Sequence, residues 1–299
     1  MNTWFKYNIS DTNKFTLQFQ WWYNHFMDHK TNKKGEHPLD YKATLINRCQ
    51  RYDIKNPAIM LSGGQDSLVV AHAFNEAKVN AVHYVYKVYN DGKLLNEYEI
   101  EYAEQFCIDN KKEVTYIKLN VEEVINKYKK EFSDLWLPHP DYFLQYLAIK
   151  DIPKKHFLCL GISMPGDLEL RKGKMHFVSS LMGLSGSESF RVHDRPGDAR
   201  FLTDTPETGN SFIFNSFMWQ KAKEKTKDSF DFGWKNEFYN WSGFNIPKQD
   251  KQYIFPSDVC NYFKKIKKAP HKWRRFISIP YTELYLDWKN RKLTTYTSN

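Results

Sequence analysis

The residues best suited to chemistry stand in one run: Ser62, Gly63, Gly64, Gln65, Asp66 and Ser67. A short apolar stretch, Ala58-Ile59-Met60-Leu61, precedes them, and a helical pattern over 67–78 follows, with Val70, Ala73, Phe74 and Ala77 on one face. A buried strand that ends in glycines and feeds a helix puts unpaired N–H groups and the positive end of the helix dipole at the carboxyl end of a parallel strand, where open α/β sheets bind ligands. Gly63 and Gly64 lack Cβ, so the backbone can close around phosphate oxygens. Ser62 and Ser67 add hydroxyl donors. Asp66 would repel phosphate by itself; it makes sense if Mg²⁺, which prefers carboxylate and phosphate oxygens, bridges the two. The plain alternative is a glycine turn with no ligand. The chain has neither G-x-x-x-x-G-K-[ST] nor G-x-G-x-x-G, so the two commonest glycine-rich phosphate loops do not apply.

The hexapeptide SGGQDS resembles the S-G-G-x-D-S signature of the PP-loop ATP pyrophosphatases, a superfamily that includes asparagine synthetases, GMP synthetases, tRNA thiolation and lysidine enzymes, and deazaguanine nitrile synthases. Sulfonucleotide reductases share its fold. The resemblance covers about residues 57–165. It implies a site for ATP and Mg²⁺ built from Ser62, Gly63, Gly64, Gln65, Asp66 and Ser67, with Tyr84, Tyr86 and Lys87 near the base and Gly161 near the nucleotide. Asp66 and Ser67 take catalytic roles, and Asp66 and Asp167 are the candidate metal ligands. A looser resemblance links 96–103 (NEYEIEYA) and 201–207 (FLTDTPE) to phage-encoded PP-loop proteins and names no substrate.

Other groups are weaker. The loop 185–200 carries Arg191, His193, Arg195 and Arg200, and arginines beside a phosphate site stabilise charge on the group in transfer. Arg191 and Arg195 are therefore candidate catalytic residues on a lid, set against an ordinary solvated loop. The tract 264–275 (KKIKKAPHKWRR) holds basic groups and Trp273 with no acid, which suits tRNA or DNA; a basic helix face in solvent is the alternative. His25 and His29 share a helical face but lack a third ligand for zinc. Cys49, Cys107, Cys159 and Cys260 form no C-x-x-C pair and read as buried, reduced thiols.

Elements must hold these residues in place. Helices are expected over 14–29 and 39–52, strands over 58–61, 80–89, 113–120 and 156–162, and helices over 67–78, 96–110 and 121–132. This alternation predicts a parallel sheet with helices on both faces and right-handed crossovers. The organisation expected is an N-terminal helical segment 1–56, an ATP-binding core 57–165 and an irregular cap or substrate region 166–299.

Composition narrows the function further. The chain is 41% hydrophobic and 17% aromatic, enough for a sizeable core, and its net charge of +9 favours an anionic partner. No apolar run reaches the roughly 18 residues of a membrane span, and the N-terminus lacks a signal-peptide pattern. The expectation is a cytoplasmic protein (host cytoplasm if the source is viral) with no membrane partner, and self-association stays open. Function is expected to be ATP-dependent adenylation of an acceptor oxygen, with pyrophosphate released, for amidation or a similar substitution. Two alternatives remain: a nucleotide- or nucleic-acid-binding module without turnover, and a sulfonucleotide reductase-like protein, for which no matching C-terminal cysteine motif is present.

Overall fold

The computed structural model describes residues 40–134, 140–162, 166–171, 174–180, 190, 193–224, 234–249 and 276–290. The expected helix at 14–29, Arg191 and the basic tract 264–275 lie outside them.

The chain enters through α1 (Tyr41–Cys49), capped by the Asp40 carboxylate, which accepts from the Ala43 N–H. Then β1 (Pro57–Met60), α2 (Gln65–Glu76), β2 (Val82–Asn90), β3 (Lys93–Leu94), α3 (Glu97–Asp109), β4 (Val114–Asn120), α4 (Val121–Asp134), α5 (Pro140–Asp151) and β5 (Phe157–Cys159) follow. Strands β1, β2, β4 and β5 pair in parallel, and β8 (Gly197–Asp198) adds to β5 in parallel as well. Across the sheet the parallel order is β4-β2-β1-β5-β8, with β3 forming a short antiparallel hairpin on the end of β2.

Strand alternation sorts the sheet's side chains into two layers. Ile59, Leu61, Val85 and Cys159 pack on one face with α1, α2 and α3, through Leu45, Val69, Ala73, Phe74, Ala103 and Phe106. Ala58, Met60, Tyr84, Tyr86, Val88 and Leu158 pack on the other face with α4 and α5, through Val124, Phe143, Leu147 and Ile149. Helices therefore cover both faces of a mostly parallel sheet, as expected, and the strands at its centre are apolar on both sides.

The C-terminal region is more regular than its sequence suggests. Strands β6 (Gly166–Arg171), β7 (Lys174–Ser180) and β9 (Phe276–Pro280) make a separate antiparallel sheet. A 3₁₀ turn (Phe201–Thr203) leads to α6 (Pro206–Ile213), followed by α7 (Ser216–Glu224), α8 (Trp234–Trp241) and α9 (Tyr281–Asn290). The segment FLTDTPE is architectural. The Arg48 guanidinium donates to both carboxylate oxygens of Asp204 at 2.6–3.0 Å, and Thr205 and Thr208 form a reciprocal capping box on α6. These contacts join α1 to the start of α6, so residues from all three expected regions share one core. Cys49, Cys107 and Cys159 are free and buried. Among the described residues no helix is long and apolar enough to cross a membrane.

Candidate functional site

The chain leaves β1 towards β2 and β4 on one side, while β5 and β8 lie on the other. The strand order thus reverses between β1 and β5. In open α/β sheets the crevice at the carboxyl ends of two such strands is where ligands bind. Here a cavity of about 290 Å³ opens at that place. Its floor is Ser62, Gly64, Gln65, Asp66 and Ser67 after β1, with Gly161 and Ile162 after β5.

Local geometry explains the loop sequence. Gly63 has φ +86, a left-handed conformation that disfavours side chains, and a Cβ there would run into the Glu99 carbonyl. Helix α2 starts at Gln65, two residues earlier than its apolar pattern indicates, with Gly64 as N-cap and no side chain capping it. Asp66 and Ser67 therefore sit in the first turn, whose N–H groups have no intrahelical acceptor. Ser67 Oγ donates to Gly64 O at 2.9 Å, Ser62 Oγ lies 3.1 Å from Ser67 Oγ, and Ser62 Oγ accepts from Gly64 N at 3.2 Å. With the Ser67 proton spent on Gly64, Ser62 is the donor to Ser67. The two hydroxyls thus brace the loop internally, and Ser67 is buried.

Gly161 is needed for packing at the loop: a Cβ there would come 2.5 Å from Ser67 N and from the Asp66 carbonyl carbon. The other walls come from residues that sequence reading did not assign to the site, two of them within the stretch 96–103. Tyr98 and Glu99, in the first turn of α3, and Gln145 of α5 line the cavity. Asn96 sets the position of α3: its side chain accepts from Val88 N–H and donates to Tyr86 O, both at 2.9 Å. The motif-like stretch 96–103 is thereby tied to β2 and delivers Tyr98 and Glu99 to the loop.

The remaining wall is 234–249. One turn of α8 separates Lys235 from Tyr239, and both reach Asp66: Lys235 Nζ lies 3.0 Å from Oδ2, and the Tyr239 hydroxyl donates to Oδ1 at 2.5 Å. Burial first, and the Asp66 charge second, push the Tyr239 phenol well above its ordinary range, so it stays protonated as a donor. Gln249 Nε2 donates to Gly63 O at 2.7 Å. Asn236 and Asn240 donate to Ile246 O, which ties the helix to the segment after it. Lys235 and Gln249 both line the cavity. No periodicity announces such contacts across the length of the chain.

Several expected site residues fall elsewhere. Tyr84 and Tyr86 point into the layer under α4 and α5, and neither lines the cavity. Lys87, on the opposite face of β2, pairs with Glu104 at 2.9 Å and lies over the Tyr116 ring. Alternation turns Lys87 to the other face; Tyr84 and Tyr86 share the face of Met60, which lines the cavity, but are buried in the layer beneath α4 and α5. Arg195 lies two residues before β8, which runs parallel to β5, so it stands at the amino edge of the sheet, opposite the glycine loop. Its guanidinium donates to Ile152 O and Pro153 O at 2.6 and 2.9 Å, closing the end of α5. His193 stacks on Tyr146 and bonds Tyr146 O. Of the expected lid, His193 and Arg195 thus pack against α5, Gly197–Asp198 form β8, and Arg200 makes an isolated backbone bridge to Gly161. The backbone of Asp167 lies in β6, paired with Val178 in the separate sheet.

Magnesium can be tested against the donors present. Carboxylate oxygens offer about four lone-pair positions, and Lys235 and Tyr239 occupy two of those on Asp66. Glu99 lines the same cavity. Among the described residues no group of three or more His, Cys, Asp or Glu could hold a metal by itself. The donors fit an ion held by Asp66 and phosphate oxygens together, the usual Mg²⁺ mode, and do not form a cage.

No protein-family model matches the chain, and no curated protein matches it.

Proposed function

We propose that this chain is an ATP pyrophosphatase of the PP-loop type, which transfers the adenylyl group of ATP to an acceptor oxygen. The observation that carries the reading is the cavity at the β1/β5 reversal, where the first turn of α2 and the Lys235 ammonium face the same space. Backbone N–H groups, a helix dipole and a cation converging on one glycine loop favour a polyphosphate.

The acceptor oxygen attacks the α-phosphorus; the new O–P bond forms as the bond to the bridging oxygen of the β-phosphate breaks. Pyrophosphate leaves carrying that electron pair, its charge met by the N–H groups of Asp66 and Ser67 and by Lys235. An amine or ammonia then displaces AMP from the adenylated acceptor. The chain's contribution is orientation and charge neutralisation, and no side chain acts as nucleophile. Asp66 is the residue that would hold Mg²⁺, which would supply further charge neutralisation. The rigid loop, braced by Ser62 and Ser67 and pinned by Gly161, keeps its donors in place without rearrangement.

Products formed from α-labelled ATP with Mg²⁺ and a panel of acceptors (tRNA, DNA, small carboxylates) test the reading. AMP with pyrophosphate supports it. ATP bound but never cleaved with any acceptor would favour a binding module instead.

A further inference from the structure

We infer that Lys235 is held in an exchangeable ion pair: Asp66 keeps the ammonium at the cavity until an anionic phosphate group takes it over, and Tyr239 is the positioning residue that makes the exchange affordable. The inference rests on the reading of this cavity as a phosphate site.

Three observations support it. The pair is unevenly built. Lys235 and Asp66 keep a quarter of their side-chain surface exposed to the cavity, while the Tyr239 side chain is entirely buried and its hydroxyl donates to Asp66. A charge contact that borders solvent is weak and open to competition. Second, the two partners of Asp66 use different oxygens, Tyr239 on Oδ1 and Lys235 on Oδ2. If Lys235 turns away, the carboxylate keeps a buried phenol donor and its place in the first turn of α2, so no charge is stranded. Third, the arm is anchored independently of the ion pair: Gln249 holds Gly63 O, and Phe238 of α8 is buried in the core against the Tyr41 and Phe212 rings. The Lys235–Asp66 contact can therefore open while α8 stays in place.

Asp66 then has two effects of opposite sign. It competes with a bound anion for Lys235 when no metal is present, and it supports the reaction when Mg²⁺ is. Titration of inorganic pyrophosphate into the full chain in EDTA, followed by calorimetry, separates these effects. Asp66→Asn should bind pyrophosphate about fivefold more tightly than the wild type, because a competing charge is gone. Lys235→Met should bind at least about tenfold more weakly, having lost a charge-assisted bond. Tyr239→Phe should bind about threefold more weakly, because Asp66, short of one donor, grips Lys235 harder. That last effect should shrink in the Asp66→Asn background, which a merely structural role for the phenol would not produce.

Equal affinities across these proteins overturn the inference, as does weaker binding in Asp66→Asn. If the wild type still forms AMP and pyrophosphate from ATP, the enzymatic reading survives that result. The expected order of affinities without any AMP formation would leave the inference standing and remove the enzymatic reading. No pyrophosphate binding by any of the proteins overturns both the exchange and the phosphate site.

Discussion

Gly161 lies directly against the amide of Ser67: a Cβ at position 161 would stand 2.5 Å from Ser67 N. The strand that borders the crevice on one side thus ends on the backbone of the loop that borders it on the other. Gly161→Ala should force the two apart, at a cost of about 1–3 kcal/mol, the usual scale for an overpacked interior position. Urea midpoints and pyrophosphate titration would both register the change. A variant with wild-type stability and affinity would mean that the contact is slack.

Asp66→Asn should separate binding from turnover. ATP cleavage with Mg²⁺ should fall by at least about 100-fold, the scale seen when one preorganised electrostatic group is removed. The fold should survive, since asparagine can still accept from Tyr239. Steady-state AMP production beside circular dichroism would decide this. Wild-type turnover in the variant would rule out the metal-linked role of the carboxylate.

The sheet was legible because its strands are apolar runs between helical patterns, and periods of two and of about 3.6 residues report burial directly. The glycine loop was legible as well: glycines between Leu61 and Leu68 require a turn where strand meets helix. The partners of Asp66 were not. Lys235 and Tyr239 lie 169 and 173 residues away, and only the folded chain brings them to the loop. Misplacing Tyr84, Tyr86 and Lys87 has a different cause. Their strand was found, but what covers each of its faces is set by other elements: the layer of α4 and α5 buries Tyr84 and Tyr86, and Glu104 of α3 takes Lys87. The short strand β8, only two residues long, carries no readable pattern, and with it went the true position of Arg195.

The Arg48–Asp204 pair should be the most sensitive charged contact for stability. Its side chains are 5% and 1% exposed, and the guanidinium also lies over the Phe201 ring. Asp204→Ala would take away the bidentate partner and leave the buried Arg48 only its 3.3 Å contact with the more exposed Asp53, a loss of about 3 kcal/mol. Chemical denaturation measures it. A loss below about 1 kcal/mol would place the pair among weak surface contacts.

His83 should make the fold acid-sensitive. Burial first, and Lys112 second, lower its pKa to about 4, below the ordinary 6.5. The unfolded chain therefore binds a proton over this interval that the folded chain does not. Its share of stability is complete above pH 6.5 and is lost as the pH falls towards 4, reaching at most about 3 kcal/mol. The loss of stability between pH 7 and pH 4.5 should be smaller in His83→Phe than in the wild type. Equal acid sensitivity would show that His83 takes up its proton without unfolding.

The central claim is that this cavity splits ATP between the α- and β-phosphates. Purified full-length chain, Mg²⁺ and α-labelled ATP, assayed with tRNA, DNA and small carboxylates as acceptors, give the most direct test. The account requires labelled AMP and an equal amount of pyrophosphate, both lost in Asp66→Asn. Labelled ADP instead, or intact ATP that remains bound with every acceptor, would contradict it.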